Sequence, residues 1–226
     1  MGQSPLQILE SIAVLAVPAI VAITLHEAAH GYVARFFGDD TAQQAGRISL
    51  NPLRHVDPFG TILLPALLML SHAGILFGYA RPVPVNFGKL HHPKQDMVFV
   101  AAAGPAMNIL IALASTALIY FPSLLGMPPS GILLQVLWTS VEINLVLAVF
   151  NLIPIPPLDG GRVAVGLLPL ALARPFAQLG RFGILLVLAI FVLSSYAGID
   201  LFHWLVEIPV QFLERPILAL LRSRFG

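Results

Sequence analysis

The sequence predicts an all-α integral membrane protein, a polytopic bundle of about five to six transmembrane helices. Of its 226 residues, 58% are hydrophobic and only 10% are charged, whereas soluble domains carry about 25% charged residues. The mean hydropathy is +0.88, and long apolar runs recur along the whole chain. We therefore expect a single membrane-embedded domain over residues 1–226, surrounded by the lipid bilayer. The net charge of +1 gives no indication of nucleic-acid binding.

The apolar runs predict the helices in chain order. The first covers about residues 6–37, and at 1.5 Å per residue its length of roughly 48 Å exceeds the ~30 Å hydrocarbon core. Further spans are predicted at 95–120, 131–152 and 182–197, with a short helix at 163–172 and a last helix at 201–224. Between the first two spans, the alternating residues 46–50 predict a short strand and the proline-rich residues 79–87 an extended chain.

Arginine and lysine predict the topology, because cytoplasmic connections carry an excess of both. Residues 1–34 and 121–130 contain neither. The basic residues from 35 to 181 fall in three connections that the helix count places on one side. We therefore expect the N-terminus outside and the end of the first helix in the cytoplasm. Residues 56–78 have basic flanks on both sides, which predicts a re-entrant hairpin.

A histidine–glutamate motif lies inside the first helix, as His26-Glu27-Ala28-Ala29-His30. Residues four apart share one face of a helix, so both histidines can reach one metal ion. The intervening glutamate is well placed to accept a proton from an attacking water. This pattern is typical of zinc hydrolases, and because the chain contains no cysteine, a zinc site must use histidine and carboxylate.

A catalytic zinc site needs a third protein ligand. Asp159 is the best-placed acid, because it follows the span 131–152 and lies beside Arg162, at the same predicted depth as the two histidines. Three prolines between residues 154 and 157 prevent a continuing helix. We therefore expect Asp159 to be presented from irregular backbone at membrane depth.

Three motifs in order resemble those of the site-2 proteases, the intramembrane zinc metalloproteases of peptidase family M50. They are His26-Glu27-Ala28-Ala29-His30, Gly104-Pro105-Ala106-Met107-Asn108, and the run Asn151-Leu152-Ile153-Pro154-Ile155-Pro156-Pro157-Leu158-Asp159-Gly160. The resemblance implies one catalytic Zn²⁺ held by His26, His30 and Asp159, with Glu27 as the catalytic acid–base group. It implies that Asn151 holds or polarises the substrate at the scissile bond.

The resemblance covers a catalytic core of about residues 10–170, followed by C-terminal helices at about 174–226. The chain resembles the minimal prokaryotic members of the family, which have no inserted PDZ-like domain and no appended CBS pair. This implies a protein of the prokaryotic inner membrane, with its active site toward the cytoplasm and a single-span transmembrane protein as substrate. The sequence gives no oligomeric state.

Other interpretations of the same residues remain open at this stage. The cluster of His26, Glu27, His30 and Asp159 also fits a metal or proton pathway in a transporter or channel, and an inactive scaffold is a third possibility. The extended residues 47–50 and 83–86 offer an edge for an unwound substrate, although ordinary loop packing explains them more simply. For Asn108 and Asn144 we expect interhelical hydrogen bonds, and for His55 a solvated position.

Overall fold

The structure, a computed structural model, describes residues 4–63, 67, 80–127, 129 and 131–225. Helix α1 spans Pro5–Phe36 and begins with a capping box, in which Ser4 and Gln7 each accept a hydrogen bond from the other's backbone N–H. It continues through Pro18 and ends just before Gly38, whose φ of +101° favours glycine. The predicted first helix is therefore confirmed almost to the residue.

Two further long helices complete the set that can cross a membrane. Helix α3 spans Pro93–Leu124 and helix α4 spans Gly131–Leu152. Together with α1, they are the three described helices that are long and apolar enough to span, and the bent pair Leu170–Phe182 and Leu185–Ser194 would make a fourth if it counts as one span. The chain is thus an integral membrane protein of mainly helical structure. Helix α3 packs against α1, α4 and the later helix at Asp159–Leu167, and lies at the centre of the bundle.

The connection between α1 and α3 is irregular. It contains the short helix α2 at Thr41–Gln44, 3₁₀ turns at Pro52–Arg54 and Phe87–Lys89, and a π-helical turn at Pro58–Leu63. Within the described residues of this connection there is no strand, including at 46–50 and 83–86. Arg47 instead joins the two segments through its side chain, which donates to the Arg81 carbonyl at 2.7 Å. The predicted re-entrant hairpin at 56–78 falls largely outside the described residues.

Four helices follow the proline-rich break after α4. They are α5 at Asp159–Leu167, α6 at Leu170–Gln178, α7 at Ile184–Tyr196 and α8 at Ile208–Phe225, with a π-helical turn at His203–Glu207 before α8. The prediction that irregular backbone presents Asp159 is wrong, because this residue opens α5. The carboxylate thereby lies in the first turn of a helix, where the helix dipole favours negative charge.

The buried apolar core lies between the later helices. Its members come from α3, α4, α7, α8 and the turn before α8, and include Ile119, Val141, Leu145, Val187 and Val206. A smaller cluster of Ala34, Leu90 and Val100 joins the end of α1 to α3. The two clusters hold α1, α3 and α4 side by side, which sets the distances within the polar site described next.

Candidate metal centre

Three side chains from two distant parts of the sequence converge at one point. The Nε2 atoms of His26 and His30 are 3.1 Å apart, and each lies 3.2 Å from Oδ2 of Asp159. All three residues are buried, with exposures of 7%, 5% and 5%. The predicted ligands are thus brought together by α1 and the start of α5 into a cluster that can hold a metal ion.

The outer nitrogens of both imidazoles are also engaged. Nδ1 of His30 lies 2.7 Å from the carbonyl oxygen of Val100, and Nδ1 of His26 lies 2.5 Å from Oδ1 of Asn108. A backbone carbonyl only accepts, so His30 carries its proton on Nδ1 and presents a lone pair at Nε2. This is the arrangement in which metal-ligating histidines are held by a partner on the other ring nitrogen.

Gly104 on α3 allows the two rings to come this close to the helix. A Cβ at this position would lie 2.5 Å from Nε2 of both His26 and His30. Any other residue would therefore push the imidazoles apart or force α3 away from α1. The glycine in the second predicted motif is explained by this contact.

Two glycines after Asp159 allow the first turn of α5 to pack against the broken end of α4. A Cβ on Gly160 would collide with the carbonyl group of Leu152, and one on Gly161 with the backbone at Pro156. The other oxygen of the Asp159 carboxylate, Oδ1, accepts from Nη1 of Arg162 at 3.4 Å. The carboxylate thus directs Oδ2 toward the histidines while Oδ1 is held by the same helix.

Glu27 lies beside the cluster and is held by the extended segment 80–86. Its Oε2 accepts from the Val83 N–H at 2.8 Å, and Oδ2 of the buried Asp39 accepts from the Asn86 N–H at 2.6 Å. Residues 82 and 84 are prolines, so within 82–86 at most the Val85 N–H is left to pair with another chain. The segment therefore offers few N–H donors to a substrate strand, and its role as a binding edge stays a prediction.

An exposed ion pair, outside the site, links the residues just after the extended segment to those just after α1. Lys89 Nζ donates to Oδ1 of Asp40 at 2.9 Å. This hydrogen bond holds the pKa of the Asp40 carboxyl below its usual value. Because both groups are exposed, we expect the pair to contribute little to folding. The half-buried carboxylate of Glu27 on α1 and the buried carboxylate of Asp39 just after α1 are therefore the main links from this part of the chain to the extended segment.

The cluster opens into a cavity of about 600 Å³. Glu27, Asn151 and Arg162 supply polar groups to its wall, and most of the remaining lining is apolar, including Ile23, Val146 and Phe202. The cavity is thus lined by α1, the extended segment, α3, α4, α5 and the turn before α8. It has room for a few residues of an extended peptide next to the buried ligands.

Comparison with known proteins assigns the chain to a family. The model of peptidase family M50 matches residues 126–195. "Putative zinc metalloprotease YwhC" of Bacillus subtilis is 42% identical over 188 residues, which cover 80% of this chain and 82% of the relative. Rip2 of Mycobacterium tuberculosis, described in the same words, is 29% identical over 199 residues, covering 84% of this chain and 71% of the relative. No solved structure matches. The chain belongs to peptidase family M50.

Membership of family M50 makes this protein a zinc metalloprotease, and the donor set fits zinc. Ligand atoms around a tetrahedral zinc are about 3.3 Å apart when each is about 2.0–2.1 Å from the metal. The three edges of the cluster measure 3.1, 3.2 and 3.2 Å. Oδ2 of Asp159 is buried and has no hydrogen-bond donor among the described residues. With both imidazoles neutral and protonated on Nδ1, the cluster consists of three acceptor atoms that face one another, and a cation stabilises such an arrangement.

Asn151, the remaining predicted site residue of this M50 protease, lines the cavity, but its amide is partly engaged. Its Nδ2 donates to the Leu147 carbonyl of the same helix at 3.0 Å. Since an amide nitrogen has two hydrogens, one donor is left for a bound group. The structure therefore places Asn151 on the wall of the cavity and outside the cluster of three ligand atoms.

The sequence interpretation missed several residues that shape this M50 site. The interhelical hydrogen bond expected of Asn108 and Asn144 is confirmed. The contact of Asn108 with His26, the Val83 N–H and the Val100 carbonyl were not predicted. Backbone groups carry no signal in the residue letters, so only the three-dimensional structure reveals them. His55 was expected in solvent, but it is 1% exposed and its Nε2 is bonded to the Ser49 carbonyl at 2.8 Å.

Proposed function

We propose that this zinc metalloprotease cleaves peptide bonds within or near transmembrane segments of other membrane proteins. The observation that carries the proposal is the position of the cluster: His26 and His30 are buried in an apolar helix that is long enough to span the membrane. Ionisable groups at such positions are costly and are usually retained for function. A substrate at this cluster would have to enter between membrane helices, which favours a single-span transmembrane protein.

In the proposed reaction, His26, His30 and Asp159 hold the zinc ion. When bound, zinc lowers the pKa of water and polarises the peptide carbonyl. The Glu27 carboxylate accepts the proton of the attacking water and then delivers it to the leaving amine nitrogen. Its hydrogen bond with the Val83 N–H keeps one carboxylate oxygen fixed. The other oxygen is the one we assign to proton transfer.

Asn151 is proposed to bind the substrate carbonyl. The hydrogen that its Nδ2 does not donate to Leu147 can stabilise the negative charge that develops on the carbonyl oxygen. Arg162 is proposed to orient Asp159 through Oδ1, as its contact at 3.4 Å supports. The roles of both residues follow from their positions on the cavity wall beside the ligands.

A metal or proton pathway was the alternative function for the same side chains. The family and its relatives favour the protease, since the relatives are described as zinc metalloproteases. A transporter would move zinc across vesicle membranes and cleave nothing, so a flux measurement on the purified protein separates the two functions.

Replacing Asp159 by alanine tests the ligand assignment. We expect bound zinc to fall from about one ion per chain to near zero, and cleavage of single-span substrates to fall to background, because two ligands do not make a catalytic site. Zinc is measured by elemental analysis of protein purified in lipid nanodiscs. The matched control is Asp40→Ala, which removes an exposed carboxylate outside the cavity. Full zinc content in Asp159→Ala protein would contradict the assignment.

The proposed arrangement in the membrane has five to six spans, an external N-terminus and an active site toward the cytoplasm of a prokaryotic cell. It rests on the arginines and lysines of the connections. We expect a cysteine introduced beside Lys89 to be labelled by a membrane-impermeant reagent only after the cytoplasmic face is opened. Labelling of intact spheroplasts at that position would show the opposite orientation, and a cysteine introduced at residue 126 is the control for the external face.

A further inference from the structure

A chain of buried polar side chains leads from the metal centre into the bundle. Asn108 on α3 contacts His26 and also donates through Nδ2 to Oδ1 of Asn144 on α4, at 2.8 Å. Nδ2 of Asn144 in turn donates to the backbone carbonyl of Ser140, at 2.8 Å. Both asparagines have 0% exposure. The reaction proposed above makes no use of this chain.

Only one orientation of each amide satisfies the donors and acceptors in this series of hydrogen bonds. The Ser140 carbonyl can only accept, so the amide nitrogen of Asn144 must face it and the amide oxygen must face Asn108. Asn108 must then donate to that oxygen, which turns its own oxygen toward His26. Facing an acceptor, Nδ1 of His26 must carry the proton.

The consequence for His26 is a lone pair on Nε2, the atom that faces His30 and Asp159. We propose that Asn108 and Asn144 are positioning residues that fix the tautomer of His26. The hydrogen-bonded series from the Ser140 carbonyl through Asn144 and Asn108 to His26 is called the relay below, and the Ser140 carbonyl is its fixed end. In His30 a single hydrogen bond, from Nδ1 to the Val100 carbonyl, fixes the same tautomer. Two asparagines and the Ser140 carbonyl thus do for His26 what the Val100 carbonyl alone does for His30, which is to hold the proton on Nδ1.

Interhelical packing is the competing explanation for two buried asparagines. Amide pairs between membrane helices stabilise helix association without any metal. Both explanations use the same hydrogen bonds between α3 and α4, and they differ in whether the contact of Asn108 with His26 has a consequence at the metal centre. A role in packing predicts a loss of stability only, and a role in positioning predicts a change at His26.

The first measurement needs no zinc. In metal-free protein labelled with ¹⁵N-histidine, two-bond ¹H–¹⁵N spectra report which ring nitrogen of His26 is protonated. We expect the Nδ1–H form in the unsubstituted protein, and a shift toward the Nε2–H form in Asn108→Leu and Asn144→Leu. Asn144 bonds to Asn108 and Ser140 rather than to His26, so an effect from that position would be transmitted through Asn108. A His26 signal unchanged in either variant would overturn the relay.

The second measurement is zinc affinity by competition with a chelator, and it rests on the proposed zinc site. Loss of a partner to a ligating histidine lowers metal affinity by about 10–100-fold, and we expect this for Asn108→Leu. For Asn144→Leu we expect a smaller loss, above about threefold. Asn108→Asp keeps an oxygen toward His26 and should remain within about threefold of the unsubstituted protein.

Ser115→Ala is the matched control. Its hydroxyl donates to Ser140 Oγ at 2.9 Å. That Oγ lies 3.4 Å from Asn144 Nδ2, whereas the Ser140 carbonyl, at 2.8 Å, remains in the variant to orient Asn144. We expect its removal to leave both the His26 tautomer and the zinc affinity unchanged, although helix packing is altered. Equal zinc affinities for Asn108→Leu and Ser115→Ala would overturn the inference. If the unsubstituted protein binds no zinc, the zinc site itself fails, while the tautomer measurement still decides the relay.

Discussion

Replacing Glu27 by glutamine is expected to abolish cleavage while the protein keeps its zinc. The amide oxygen of glutamine can still accept from the Val83 N–H, so the local structure is retained. An amide cannot accept the proton of the attacking water at neutral pH. General acid–base groups contribute about 10²–10⁴-fold to rate, and we expect a loss of that size. The measurement pairs a gel-based cleavage assay on single-span substrates with zinc analysis of the same sample.

Glu10→Gln is the control for this substitution. It makes the same chemical change on the same helix, but Glu10 is exposed near the start of α1, far from the cavity. Its cleavage rate should equal that of the unsubstituted protein. If Glu27→Gln cleaves at the normal rate, another group must serve as the base. If it loses zinc together with activity, the glutamate contributes to metal binding.

The zinc ligands could be predicted from sequence because each depends on a strong local constraint. The spacing of His26 and His30 places both on one face of any helix, and the apolar run around them ensures the helix. Asp159 could be predicted from its depth in the membrane, since α4 returns the chain to the level of His26 and His30. Its position in the first turn of α5 was not predicted. That position depends on the close approach of Gly160 to the Leu152 carbonyl and of Gly161 to the backbone at Pro156, which the residue letters do not reveal.

The supporting residues were harder to predict because their partners are backbone atoms or distant amides. Nothing in the local sequence indicates that Val83 would meet Glu27, 56 residues earlier. The burial of His55 has the same origin, a bond to the carbonyl of Ser49 within an irregular connection. Helix bounds follow from apolar runs and from proline and glycine. The described residues of the connection from 37 to 92 are instead held by individual side-chain and backbone contacts. Periodicity carries no information about such contacts.

Replacing Gly104 by alanine should eliminate zinc binding as completely as loss of a ligand. The added methyl group would lie 2.5 Å from Nε2 of both His26 and His30, well inside van der Waals contact. The rings can retreat only by breaking their bonds to Asn108 and the Val100 carbonyl. We expect zinc affinity to fall at least about 100-fold, the upper end of losses seen when the support of a ligand is removed. Cleavage should fall to background.

The fold should survive this substitution, which separates damage at the metal centre from general instability. Alanine is favoured over glycine in a helix by about 1 kcal/mol, and this gain offsets part of the about 1–3 kcal/mol that overpacking costs. Circular dichroism and size-exclusion profiles of metal-free Gly104→Ala should therefore match those of the unsubstituted protein. Gly180→Ala is the control, since its Cβ would meet only Pro156 at an ordinary 3.5 Å. Normal zinc binding by Gly104→Ala would mean that α3 does not approach the two histidines this closely.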